Sequence, residues 1–210
     1  MVSSGHKRPL LILASASPRR LDLLEQIGVV PEVVEPVELD ESPGRDEQPA
    51  ALAGRLAIAK ARAAISRRPA EQNGLGIIVM GADTVVACGR RIFPKAQDEA
   101  EARRTLTLLS GRRHRVYTGV AIEDTDGKSW HRVVKTTVAL KRLDTRELNA
   151  YLLCDEWRGK AGAYGIQGQA AAFVRFINGS YSNVVGLPLF ETAALLNSAG
   201  YPVPTGKCET

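Results

Sequence analysis

An α/β fold, a central mixed sheet flanked by helices, is predicted by three features of the sequence. Apolar, β-prone runs such as "PLLIL" and "GIIVM" alternate along the chain with segments whose leucines and alanines recur at helical spacing. Two long alternating segments flank "TDGK", a strong hairpin signal, so part of the sheet is antiparallel. At 210 residues and 44% hydrophobic content, the chain can bury a sizeable core. A single domain over residues 1–210 is expected, with two lobes around a cleft and loose tails at 1–8 and 202–210.

The elements follow in order. Residues 9–27 read as strand, turn and helix, with Gly28 as the stop. "PEVVEPVELDE" (31–41) reads as a strand ending in an acid-rich loop, and "SPGRDEQP" continues as loop. "AALAGRLAIAKARAAIS" is an Ala-rich helix with Leu52, Leu56, Ala59 and Ala63 on its buried face and Lys60 at that face's edge. "GIIVMGADTVVACGRRIF" starts as a buried strand and folds back through "CGR". "DEAEARRTLTLLSG" is a third helix, acidic at its start and ended by Gly111. "RVYTGVAIED" and "SWHRVVKTTVALKRL" form the hairpin. "DTRELNAYLLC" is a helix capped by Asp144. "GKAGAYGIQG" is a glycine-rich loop, "AAFVRFI" a strand, "NGSYSNVVG" a turn and loop, and "LPLFETAALLNSAG" the last helix.

Composition excludes several classes. Lys and Arg number 28 against 23 Asp and Glu, a net charge of +5 that suits a polyanionic partner without specifying one. Cys88, Cys154 and Cys208 are far apart and odd in number, which argues against a disulfide framework and a cysteine zinc site. The first apolar run is too short for a signal-peptide core, and no stretch approaches the roughly 18 apolar residues of a membrane span. A cytoplasmic location is expected.

The chemistry concentrates in a few places. In "ASASPRR" the strand-to-helix turn presents backbone N–H groups and the hydroxyls of Ser15 and Ser17, and Pro18 opens the helix. Arg19 and Arg20 add two guanidinium forks to this anion nest. In "GADTVV", Asp83 ends a buried strand, where open α/β sheets bind ligands, and suits a metal ligand or a base for water. Asp40 and Glu41 are further acidic candidates, and Lys60 and Lys95 could reach phosphate. The glycine-rich loop lets backbone approach a ligand but has neither dinucleotide nor Walker spacing. Gln167 offers a donor and an acceptor side by side. The basic run in "SGRRHRVYTG" reads best as alternating strand residues.

The chain resembles the Maf family of nucleotide pyrophosphatases. The pieces that carry the resemblance are "LASASPRR", "LAIAKARA", "GADTVV", "DEAEARRTLTLLSGRRHRVYTGVAI", "GKAGAYGIQG" and "FINGSYSNVVGLPLFET", in order over about residues 10–196. The resemblance implies a fold related to that of inosine triphosphate pyrophosphatases. It implies cleavage of a nucleoside triphosphate between its α and β phosphates, aided by a divalent cation (Mg²⁺, Mn²⁺ or Co²⁺). By position, it implies Asp83 as catalytic acid/base, with Glu41 and Asp83 toward the metal. Ser15, Arg19, Arg20, Lys60 and Lys95 would line the phosphate site, and Arg19, Thr84 and Gln167 would sort substrates. "SPRR" with "GIQG" resembles the branch acting on dTTP and UTP. Two departures are "FPKAQ" around Lys95 and Trp157 where proline is common.

The expected function is hydrolysis of dTTP and UTP to monophosphate and pyrophosphate. The alternative is a nucleotide- or nucleic-acid-binding regulator of division or septation without turnover, a role with which the resembled family is associated. For the enzyme, no membrane and no stable nucleic-acid partner are expected, and a homodimer is compatible with it.

Overall fold

The computed structural model describes residues 8–68 and 76–204. Among the described residues, seven strands form one sheet, flanked by six α-helices. They are β1 (Leu10–Ala14), α1 (Pro18–Gln26), β2 (Val33–Val34), α2 (Pro49–Ile65), β3 (Ile77–Cys88), β4 (Arg91–Phe93) and α3 (Glu99–Leu109). Then come β5 (Arg113–Asp124), β6 (Ser129–Leu140), α4 (Thr145–Leu153), a 3₁₀ turn (Gln169–Phe173), β7 (Val174–Asn178), α5 (Tyr181–Val185) and α6 (Leu189–Ser198). The strand order is β2-β1-β3-β5-β6-β7, with β4 hairpinned onto β3. β1 runs parallel to β2 and β3, and the other pairings are antiparallel, so the sheet is mixed as expected.

Most elements match their sequence signals. Gly28 takes φ +69 just past α1, and Asp144 caps α4 in a reciprocal capping box with Glu147. Three segments differ. The strand expected over 31–41 shrinks to Val33–Val34 at the sheet edge, because Pro36 has no N–H to continue the ladder. "AAFVRFI" begins as the 3₁₀ turn before becoming β7, and the loop "NGSYSNVVG" contains α5, started by the Ser180 side chain accepting from Asn183 N–H. Among the described residues, no helix is long and apolar enough to cross a membrane. Most of the segments expected to be loose, 1–7 and 205–210, lie outside the described residues, as does Cys208. Arg8 pairs with Glu32 and donates to the Tyr201 hydroxyl, and Val203 N–H donates to Asn197. Among the described residues, Cys88 and Cys154 are not in a disulfide.

Alternation along β3 and β5 divides the core. One sheet face carries Leu11, Leu13, Ile78, Met80, Val116, Val120 and Ile122, which pack with buried residues of α1, α3, α4 and α6. The opposite face carries Ile12, Ala14, Val79 and Ala121, and α2 covers it with Ala57, Ala61 and Ala64. The contact is backbone on backbone. A Cβ added to Gly81 would lie 2.3 Å from the Ala57 carbonyl oxygen, and one added to Gly119 would lie 2.2 Å from that of Ala53. This approach also turns α2 relative to the sequence expectation. Ala59 and Ala63 are only half-buried, whereas Ala53, Ala57, Lys60, Ala61 and Ala64 join Leu52 and Leu56 on the buried face. Lys60 therefore sits within the buried face rather than at its edge.

Gly119→Ala should destabilise the protein by about 3 kcal/mol, because a helix backbone has to move. Gly127→Ala, at φ +82 with nothing within 4 Å, should cost only about 1 kcal/mol of backbone strain. Urea unfolding midpoints measure both; equal losses would mean that the close approach carries no energetic weight.

Candidate active site

β1 stops at Ala14, whose partner on β3 is Gly81, while β3 runs on to Cys88. β4 pairs β3 only from Val86 onward. Between these two partners, Ala82–Val85 leave one edge of β3 uncovered, and a cleft of about 370 Å³ opens there. Its walls are the turn from β1 into α1, the residues Val184–Gly186 and the glycine-rich loop after α4. Six cations line it, Arg19, Arg20, Lys60, Lys95, Arg158 and Lys160, against two carboxylates, Glu41 and Asp83.

Lys60 organises one side. Its ammonium donates to Asp83 Oδ1 at 2.7 Å and to Glu41 Oε1 at 2.5 Å, with the lysine and aspartate side chains about nine-tenths buried. A lysine this deep is stable only with such partners. Lys95 Nζ stands 3.7 Å from Glu41 Oε2. Partial burial works against the Glu41 carboxylate, but the hydrogen bond from Lys60 and the charges of Lys60, Lys95 and Arg20 outweigh it and hold its carboxyl below the ordinary value. Asp40 does not join the cleft; its carboxylate accepts from Ser42 N–H in a surface turn.

Arg20 organises the other side. It is buried in the first turn of α1, where Nε donates to Gly186 O at 2.9 Å, Nη1 to Ser15 Oγ at 2.8 Å and Nη2 to Thr84 Oγ1 at 3.3 Å. Burial lowers its pKa, partly offset by Asp83. Three of its five N–H groups are thus used internally, and two remain for a ligand. Ser15 Oγ also accepts from Ser17 N–H at 3.2 Å, so both its lone pairs are occupied and its proton is free to donate into the cleft. Thr84 Oγ1 contacts Thr118 Oγ1 at 3.0 Å, directly across the β3–β5 pairing, and Thr118 donates to Asn183 O.

Arg19 is half-buried at the lip of the cleft, and burial lowers its pKa against the pull of Asp22. Lys160 faces it. Burial and the charge of Arg19 both lower the Lys160 pKa, against Glu156. Gln167 is exposed at the mouth of the cleft. All the expected site residues, Ser15, Arg19, Arg20, Glu41, Lys60, Asp83, Thr84, Lys95 and Gln167, therefore line one cleft. Sequence reasoning missed Arg158 and Lys160, whose signal lay in "WRGKAG" beside the glycines that drew the reading. It also missed Thr118 and Asn183, which look like ordinary strand and loop residues.

The glycine-rich loop is fixed from behind. Gly162, at φ +73, passes so close to β3 that an added Cβ would lie 2.9 Å from Val86 Cγ1. Lys95 of "FPKAQ" bridges to Ala161, and the departure Trp157 is buried, its indole N–H donating to Leu152 O at 3.1 Å. Tyr164 lines the cleft and shares a 2.8 Å hydrogen bond with His114 Nε2 on β5.

The donor set can accommodate a divalent cation only with help from a ligand. Among the described residues, no group of three or more His, Cys, Asp and Glu converges. Glu41 and Asp83 are two carboxylates beside a cationic cleft, and Mg²⁺-type ions are commonly held by one or two carboxylates plus substrate phosphates. The residues fit such an ion.

A family model described as "Maf-like protein" matches residues 10–199. A dTTP/UTP pyrophosphatase of Paramagnetospirillum magneticum is 56% identical over 192 residues, 91% of this chain and 98% of that protein. One of Rhodospirillum rubrum is 56% identical over 191 residues, 91% of this chain and 88% of that protein. Among solved structures, a nucleoside-triphosphatase / dITP/XTP pyrophosphatase from Mycobacterium abscessus aligns with a TM-score of 0.34 at 21% identity, covering 63% of this chain and 73% of that one.

Behind the cleft wall, burial lowers the His114 pKa from 6.5 to about 4, and its Nδ1 is buried without a partner among the described residues. The folded state therefore resists a proton that the unfolded chain takes up. The stability this residue confers is complete above pH 6.5 and is lost as pH falls toward 4, by about 3 kcal/mol in all. Urea midpoints measured from pH 7 to 4 should fall accordingly. His114→Gln should flatten that slope; an unchanged slope would assign it to other groups.

Proposed function

The chain belongs to the Maf family, and from that premise we propose that it hydrolyses dTTP and UTP to the nucleoside monophosphate and pyrophosphate. The observation that carries this reading is the pairing of Asp83 and Glu41 through Lys60 in a cleft whose other charged lining residues among those described are cations. Cations suit a triphosphate. Carboxylates at a phosphate site weaken simple polyanion binding and are useful when a cation or a proton has to be handled, which disfavours the regulator without turnover.

In this reading Arg19, Arg20, Lys60 and Lys95, with the Ser15 hydroxyl, bind and orient the phosphates. Asp83 orients a water in line with the α-phosphorus and takes its proton. The new bond joins the water oxygen to the α-phosphorus. The bond from the α-phosphorus to the α–β bridging oxygen breaks, and pyrophosphate leaves with the electron pair. Glu41 and Asp83 would hold a divalent cation, which when bound neutralises charge on the phosphate oxygens. Arg19, Thr84 and Gln167 select the nucleoside. Nucleoside triphosphates are held inside cells, which agrees with a cytoplasmic enzyme.

With UTP in ¹⁸O-labelled water and Mg²⁺, the expected products are UMP carrying the label and unlabelled pyrophosphate, and EDTA should stop the reaction. UDP and orthophosphate as first products would overturn the reading.

Asp83→Asn keeps the shape of the side chain and removes the base. It should lower kcat by roughly 10²–10⁴-fold with the circular dichroism spectrum unchanged. Near-normal turnover in the folded variant would move the base elsewhere, with Glu41 the next candidate.

A further inference from the structure

The hydrogen bonds that link β3, β5 and Asn183 fix a polarity in the cleft. The Thr118 hydroxyl has one proton, and that proton goes to the carbonyl of Asn183 at 3.0 Å. A carbonyl can only accept. In the 3.0 Å contact between Thr118 and Thr84, Thr118 is therefore the acceptor and Thr84 the donor. Thr84 has then used its own proton. One of its lone pairs takes Arg20 Nη2–H at 3.3 Å, and one remains. Thr84 lines the cleft, so what it offers a ligand is an acceptor and nothing else.

The frame that holds this polarity is buried. Thr118 and Asn183 are fully inaccessible to solvent. The Asn183 amide donates to Val116 O at 3.2 Å and to Thr136 Oγ1 at 2.9 Å, which locks the short helix α5 against β5 and β6. Three residues on, the Gly186 carbonyl holds Arg20. Two carbonyls of one rigid segment thus set both neighbours of Thr84.

We infer that Thr118 is a positioning residue that holds Thr84 as an obligate hydrogen-bond acceptor, so that the cleft selects pyrimidine nucleotides whose ring presents an N–H at position 3. This rests on the reading of the cleft as a dTTP and UTP site and gives that preference a cause. Uracil and thymine carry the N3–H; cytosine carries a bare N3 lone pair, which would face the Thr84 lone pair. A phosphate oxygen, also an acceptor, is kept off the same spot.

The test is the ratio of kcat/KM for UTP over CTP. In Thr118→Val the Thr84 proton has no internal acceptor and can turn toward the ligand. CTP turnover should rise, and the ratio should fall by about 10-fold or more. Thr118→Ser keeps the relay and should keep the ratio. Thr84→Val removes the acceptor and should lower the ratio by a similar factor through loss on UTP, even if Thr118→Val does not fold. A ratio unchanged in folded Thr84→Val, or a fall in Thr118→Val that spares neither nucleotide, overturns the assignment. Calorimetric titration with UMP and CMP reads the same preference without turnover. Failure to form UMP from UTP in the unmutated protein would reject the hydrolase reading, while the UMP-to-CMP affinity ratio in these variants would still decide the role of Thr118.

Discussion

The contact between the backbone of α2 and the glycines of β3 and β5 is the constraint from which the rest follows. A helix normally stands off a sheet by the length of two layers of side chains. Here Gly81 and Gly119 remove one layer, and Ala53 and Ala57 bring the helix carbonyls almost onto the strands. A lysine on that helix would otherwise bury its stem and lift its ammonium into water. At this separation Lys60 instead ends beside Asp83, which lies on the same face of β3 as Gly81. Glu41, in the loop before α2, accepts from the same ammonium. Two absent side chains therefore set the position of three charged ones.

The second determinant is an interruption in the sheet. A strand flanked on both sides has its N–H and C=O groups satisfied and offers nothing to a ligand. β3 loses β1 at Gly81 and gains β4 only at Val86. The gap falls on Asp83 and Thr84, whose side chains point to opposite faces. One belongs to the system of Lys60 and the carboxylates, the other to the hydrogen-bonded chain of Arg20, Thr118 and Asn183. The cleft thereby has a carboxylate side and a side of hydroxyls gathered around Arg20, divided by the pleat of a single strand.

Much of this was legible in the sequence, for reasons that differ by element. β1, α1, β3 and the β5–β6 hairpin announce themselves because periodicity and turn chemistry agree there. β2 is shorter than its composition suggests, since "EVVEPVELDE" has strand character but Pro36 breaks the ladder and Val33 and Val34 both stay exposed. The depth of Lys60 has a tertiary cause that spacing does not show: helical periodicity identifies a stripe, but the glycines of β3 and β5 decide which side of that stripe touches the sheet. The residues found along the cleft are those with conspicuous chemistry at conspicuous places, charges at strand ends and helix starts. Thr118 and Asn183 carry no such mark, because their part depends on which oxygen receives which proton. Lys160 was hidden by its own surroundings, a loop whose glycines suggested backbone contacts.

The anchors of Arg20 and Thr118 have a consequence for how this protein can vary. Both are tied to main-chain carbonyls, those of Gly186 and Asn183. Every amino acid supplies the same carbonyl. Exchange of Val184 or Tyr181 leaves those oxygens in place as long as the turn keeps its path, and the path is held from the sheet by the Asn183 amide. The charge and polarity set by these two oxygens thus depend on the few positions that shape the chain rather than on the side chains of the residues that carry them.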